Sequence, residues 1–92
     1  MVVCIGQLVV TRGVAEELER SSEFAEFVRK SFSRHATGDW GDLCEEDRAY
    51  NDYSLASGGR LFSSYNYNED TKIWIITEWD HSYTTILFPE EY

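Results

Sequence analysis

The chain of 92 residues carries 17 Asp and Glu against 8 Lys and Arg, a formal charge of −9, with 42% hydrophobic and 15% aromatic residues. That length supports a single core and hence a single domain over 1–92, to which three Trp, six Tyr and five Phe contribute large apolar areas. The negative balance repels phosphate backbones and anionic head groups, which argues against direct nucleic-acid or membrane-surface binding.

Val2 to Thr11 is rich in Val and Ile and stops at Arg12-Gly13, the pattern of a first strand followed by a turn. Its apolar part is interrupted by Gly6 and Gln7 and lacks a basic leader, so it reads as neither signal peptide nor membrane span, and a cytoplasmic location is the default expectation. Ala15 to Arg20 makes a short helix. Ser21 and Ser22 offer an N-cap, after which Phe24, Phe27, Val28, Phe32 and His35 recur at helical spacing up to Gly38, with Glu23, Glu26, Arg29, Lys30 and Arg34 on the other face.

Asp39-Trp40-Gly41-Asp42 reads as a turn, and Leu43 to Asp47 opens another helix with acids where the macrodipole favours them, running through Tyr50, Tyr53 and Leu55 to Gly58-Gly59. Leu61 to Tyr67, Lys72 to Trp79 and Tyr83 to Phe88 are aromatic and β-branched, separated by Asn68-Glu69-Asp70 and Asp80-His81-Ser82, and predict three strands joined by hairpins. In the middle strand Ile73, Ile75, Thr77 and Trp79 alternate with Trp74, Ile76 and Glu78, so neither face is plainly polar and Trp74 or Trp79 is expected to be exposed. The fold class is therefore α+β with two-layer packing: an N-terminal strand, two or three helices, then a three-stranded antiparallel meander that the first strand joins at an edge or in the centre.

Chemistry-bearing patterns are sparse. Cys4 and Cys44 form no CxxC pair, so no zinc or redox motif is read; Cys4 looks like a small buried strand residue and Cys44 like a helix start. His35, on the Phe24 and Phe32 face, is expected to be partly buried and hydrogen-bonded near the Asp39 turn, and His81 to be exposed in a hairpin. One imidazole with Asp39, Asp42 and Glu46 has the composition of a divalent-metal site, but not the spacing of a calcium loop or HExxH, and the glycines form no phosphate-binding pattern. No cofactor is expected. Arg29, Lys30 and Arg34 read as a solubilising, salt-bridging face.

The acids are uneven. Asp39, Asp42, Glu45, Glu46, Asp47 and Asp52 against Arg48 alone give −5 within fourteen residues, and they alternate with Trp40, Tyr50 and Tyr53, a mixture that suits a protein interface. The plainer reading of the same residues is a solvated helix start compatible with the dipole.

Four segments also carry a resemblance: Leu8 to Gly13, Arg34 to Leu43 with Glu45-Glu46-Asp47, Thr71 to Glu78, and Thr84 to Tyr92. Together they resemble a family of small uncharacterised acidic proteins of prokaryotic plasmids and integrated mobile elements, labelled plasmid-related proteins. Gly38-Asp39-Trp40-Gly41-Asp42 is the most specific part. Cys44, where a Ser-type cap is usual, and Trp79-Asp80-His81, where a smaller residue and an Arg commonly sit, depart from the family pattern. The resemblance implies the context of a mobile element, in which small acidic proteins block restriction or CRISPR nucleases.

These readings converge on a non-catalytic, acidic protein-binding module. Asp39, Trp40, Asp42, Glu45, Glu46, Asp47 and Asp52 would engage a partner with a basic surface, such as a nuclease complex, through nucleic-acid mimicry. The alternatives are a structural or accessory protein that forms a homodimer through its sheet, and a small metal-dependent enzyme centred on His35 and Asp39.

Overall fold

The computed structural model describes residues 3–92. Its four-stranded sheet has the order β1-β4-β3-β2, with β1 Gln7–Val10, β2 Leu61–Asn66, β3 Lys72–Thr77 and β4 Tyr83–Leu87. The three C-terminal strands form the antiparallel meander, and β1 joins at an edge, parallel to β4, with Leu8 beside Thr84 and Val10 beside Ile86. The first strand is shorter than its apolar sequence suggests. Val2 lies outside the described residues, while Cys4 precedes the strand and is exposed, which corrects its reading as a buried strand residue.

Three helices connect β1 to β2: α1 Arg12–Arg20, α2 Ser22–Ala36 and α3 Glu45–Ser57. The first starts three residues earlier than Ala15 because its N-terminus is capped from a distance. Glu91, at the end of a 3-10 turn over Pro89–Glu91, accepts from Gly13 N at 2.9 Å, from Thr11 Oγ1 at 2.5 Å and from Phe88 N at 3.1 Å. A carboxylate at that position satisfies otherwise orphaned amides at the positive end of the helix dipole, and the Thr11 hydroxyl, followed by the Phe88 and Gly13 amides, lowers its pKa. At α2 the expected cap is present, with the Ser21 side chain accepting from Phe24 N.

The two-layer packing places α1 and α2 on one face of the sheet. Val14, Phe24 and Val28 meet Tyr65, Ile73, Ile75 and Ile86 there, flanked by Leu18, Phe27, Phe32 and Phe88. The alternation within β3 holds as read for its helix-facing side: Ile73, Ile75 and Thr77 are fully buried. Trp79 lies beyond the end of β3 and is 68% exposed, whereas Trp74, on the opposite face, is half-buried. A second cluster of Val3, Trp40 and Leu61, with Ile5, Leu43 and Leu55 against it, closes the end of the molecule near α3. No helix among the described residues is long and apolar enough to cross a membrane.

The two sheet edges differ. Along β2 the outward amides and carbonyls of Phe62 and Ser64, and the amide of Asn66, find partners in the chain between α2 and β2. The Asn51 side chain donates to Phe62 O and accepts from Phe62 N, Ser64 N donates to Trp40 O while Asp42 N donates to Ser64 O, and Asn66 N donates to Asp42 Oδ2 at 2.9 Å. At the β1 edge, Gln7 and Thr11 turn their amides toward β4, leaving those of Leu8 and Val10 pointing outward with no partner among the described residues.

Candidate functional site

The seven acidic-segment residues separate into two groups. Asp39, Trp40, Asp42 and Asp52 are tied into the fold, and Glu45, Glu46 and Asp47 are not.

Asp39 forms a two-pronged pair with Arg34, Nε to Oδ2 at 2.8 Å and Nη2 to Oδ1 at 3.2 Å, and accepts a further bond from Gly41 N at 3.1 Å. The guanidinium, and then the amide, hold its carboxyl below the usual range. Its carbonyl accepts from the Tyr65 hydroxyl at 2.6 Å, and burial pushes that phenol up to about 12. Asp39 thus fastens the α2 terminus to β2. Gly41 adopts φ +77° against Ser64 O and the Tyr65 ring, where a side chain would meet both a backbone penalty and a collision.

Trp40 is only 2% exposed, which corrects its reading as a docking anchor. Its indole packs edge-on to His35 at 5.7 Å and its Nε1 donates to Asp52 Oδ1 at 2.9 Å. The burial of so large a ring and the pairing of its one donor make it a core residue, and Asp52 serves as its acceptor. Asp42 bonds β2 as described above. All four hold the strip 39–42 along the edge of the sheet.

Glu45, Glu46 and Asp47 occupy the exposed first turn of α3, with no hydrogen bond or ion pair among the described residues. Cys44 is the N-cap, as read, but its side chain makes no capping bond, so the dipole acting on the three acids is the local stabilising feature. One and two turns further on, Tyr50 and Tyr53 are 65% and 68% exposed. Two large aromatics projecting from one helix beside three unpartnered carboxylates form a surface that the fold itself does not use.

His35 also departs from expectation. It is fully buried and turns toward the sheet rather than the Asp39 turn, with Nδ1 2.5 Å from Ser63 Oγ and Nε2 2.9 Å from Thr77 Oγ1. Thr77 Oγ1 lies 2.8 Å from Thr84 Oγ1, which donates to Ile5 O at 2.7 Å. That last bond fixes the direction of the chain. Because Thr84 gives its proton to a carbonyl, Thr77 donates to Thr84 and His35 Nε2–H donates to Thr77. Burial lowers the imidazole pKa to about 4, so at neutral pH the ring is uncharged with its proton on Nε2, and Nδ1 accepts from Ser63. Both nitrogens are occupied, so the ring is neither a free base nor turned toward Asp39, Asp42 and Glu46. Among the described residues no three His, Cys, Asp or Glu side chains gather at metal-binding distance. Cys4 and Cys44 are both free and exposed, and His81 Nδ1 lies 2.7 Å from Cys4 O, which leaves the ring only partly exposed.

Of the basic residues on α2, Arg29 pairs with Glu26 and Arg34 with Asp39, the salt-bridging role read for them. Composition gave no sign of the polar chain through His35, since its partners lie 28 and 42 residues away.

Comparison of the chain with protein-family models, curated proteins and solved structures finds no match in any of the three. The functional reading therefore rests on the surface chemistry of the chain.

Proposed function

We propose that this chain is a non-catalytic protein-binding module that docks through the outer face of α3 onto a basic protein surface. The observation that supports it most is the exposure of Tyr50 and Tyr53, 65% and 68%, next to the unpartnered Glu45, Glu46 and Asp47. The carboxylates would accelerate encounter and set orientation, while the tyrosines provide contact area at little cost in side-chain entropy. Trp40 has no part in that contact, and Asp39, Asp42 and Asp52 contribute charge from fixed positions. A positively charged nucleic-acid channel of a defence nuclease, anti-restriction or anti-CRISPR in effect, is the partner class that this charge and the resemblance to plasmid and mobile-element proteins favour. The location this implies is the cytoplasm.

Affinity capture from cell lysate at low and high salt, read by mass spectrometry, tests the proposal. The reading requires a partner retained at low salt, released at high salt, and lost when Glu45, Glu46 and Asp47 are changed to Lys in a bait that still folds. Retention unaffected by salt and by the three reversals contradicts it.

A second reading, self-association through the sheet, is favoured by the β1 edge alone, where Leu8 and Val9 are exposed and the outward amides are unpaired among the described residues. Sedimentation velocity over a wide concentration range separates the two, since a monomer throughout removes the dimer.

A further inference from the structure

Beneath the proposed docking helix, between α3 and the sheet face turned away from α1 and α2, lies a cleft of about 410 Å3. Tyr50, Phe62, Trp74 and Tyr92 line it with four aromatic rings, and Asp47 and Arg60 are its charged groups. Phe62 stands edge-on to Trp74 at 5.1 Å and Trp74 edge-on to Tyr92 at 5.9 Å, so the rings brace one another. The Arg60 guanidinium lies 5.4 Å from the Tyr92 ring centroid and has no carboxylate within 4.0 Å among the described residues. Asp47 likewise makes no bond to the rest of the fold, whereas the Asn51 amide is occupied by Phe62.

We infer that this cleft receives an arginine side chain of the basic partner, whose guanidinium stacks on the aromatic wall and pairs with Asp47 while Arg60 moves out to solvent. The inference rests on the docking function proposed above and locates its anchoring subsite. Three features select this occupant. Aromatic ring faces attract a cation, and a planar guanidinium both stacks on them and bonds a carboxylate with two donors, which a lysine cannot match. Arg60 shows that a guanidinium fits against Tyr92, and without a carboxylate partner it is held weakly enough to be displaced. An anionic ligand meets a chain of net charge −9, and a neutral apolar one would bury Asp47 without compensation.

The test is calorimetric titration of the full chain with an acetylated, amidated hexa-arginine peptide at low salt, with hexa-lysine as the comparison. The cleft predicts that hexa-arginine binds more tightly than hexa-lysine and that Trp74→Ala and Asp47→Asn each weaken it about tenfold. Arg60→Ala, which removes a positive charge and a competitor, tightens it severalfold, a sign that charge attraction spread over the surface shares but loss of Trp74 does not. Tyr50→Leu, at an exposed position, keeps the test valid if Trp74→Ala fails to fold, and it too should weaken binding. Binding that survives both Trp74→Ala and Tyr50→Leu but is lost in Glu45→Lys/Glu46→Lys overturns the cleft and leaves the docking surface standing. Weaker binding by Arg60→Ala also overturns it. No binding by the wild-type chain overturns both the cleft and the docking function.

Discussion

Helices α2 and α3 are of similar length and both carry acid in the first turn, Glu23 in one and Glu45, Glu46 and Asp47 in the other, yet they relate to the rest of the molecule in opposite ways. Over its 15 residues α2 buries Phe24, Val28, Ser31 and His35, a stripe at helical spacing that faces the sheet. Over its 13 residues α3 buries only Asn51 and Ser54, both polar, with Leu55 half-buried. Hydrophobic area holds the first helix, and the second is held by side-chain bonds to the β2 edge and by packing of Leu55 and Trp40. Changes on the inner face of α2 or along the strip 39–42 therefore act on stability, whereas changes on the outer face of α3 act on recognition.

The sharpest way to break the contrast is Trp40→Ala. It empties a fully packed site at the junction of α2, α3 and β2 and removes the partner of Asp52, at a cost of about 3–5 kcal/mol in urea denaturation. Nearly as large is the effect of acid on the α2 side. Burial lowers the His35 pKa from 6.5 to about 4, so above pH 6.5 the imidazole is neutral in both states and its contribution is fully present. As pH falls from 6.5 toward 4 the unfolded chain takes up the proton and the folded one does not, and stability drops by about 3 kcal/mol over that window. Urea titrations at neutral pH and near the lower end of the window measure the difference, which should shrink in His35→Gln. Further down, protonation of Asp39, whose carboxyl is held low by Arg34, removes stability in the same direction.

Smaller effects sharpen the α3 side. Asn51→Ala strips both side-chain bonds from the β2 edge and should cost about 2 kcal/mol, with hydrogen exchange at Phe62 accelerating more than at Ile75. Cys44→Ser adds the hydroxyl acceptor that the α3 N-cap lacks and should raise stability by about 0.5–1 kcal/mol in a thermal melt.

Local patterns made much of this legible. The α2 stripe, the Ser21 cap, the hairpin meander and the Gly58 terminus of α3 follow from periodicity and from turn and cap residues within a few positions of one another. What was not legible depends on distant pairing. Trp40 sits in a turn with no periodic frame, and its burial follows from the bridge between Gly41 and Ser64 and from Asp52 twelve residues on. His35 lies on the expected face, but which hydroxyls it meets is set by the register of β2 against β3, and the start of α1 by a glutamate 78 residues later than Gly13. Within the acidic segment the sequence shows the charges without showing which are already bonded. The structure assigns internal partners to Asp39, Asp42 and Asp52, and leaves Glu45, Glu46 and Asp47 beside two exposed tyrosines.

That surface is the centre of the account, and Tyr50→Ala/Tyr53→Ala tests it most directly. Neither ring supports the core, so the unfolding free energy of the double variant, measured by urea denaturation, should stay within about 0.5 kcal/mol of wild type. Used as bait at low salt beside the wild-type chain, it should lose the salt-sensitive partner. Capture of the same partner in the same amount by both baits would contradict the proposed role of α3.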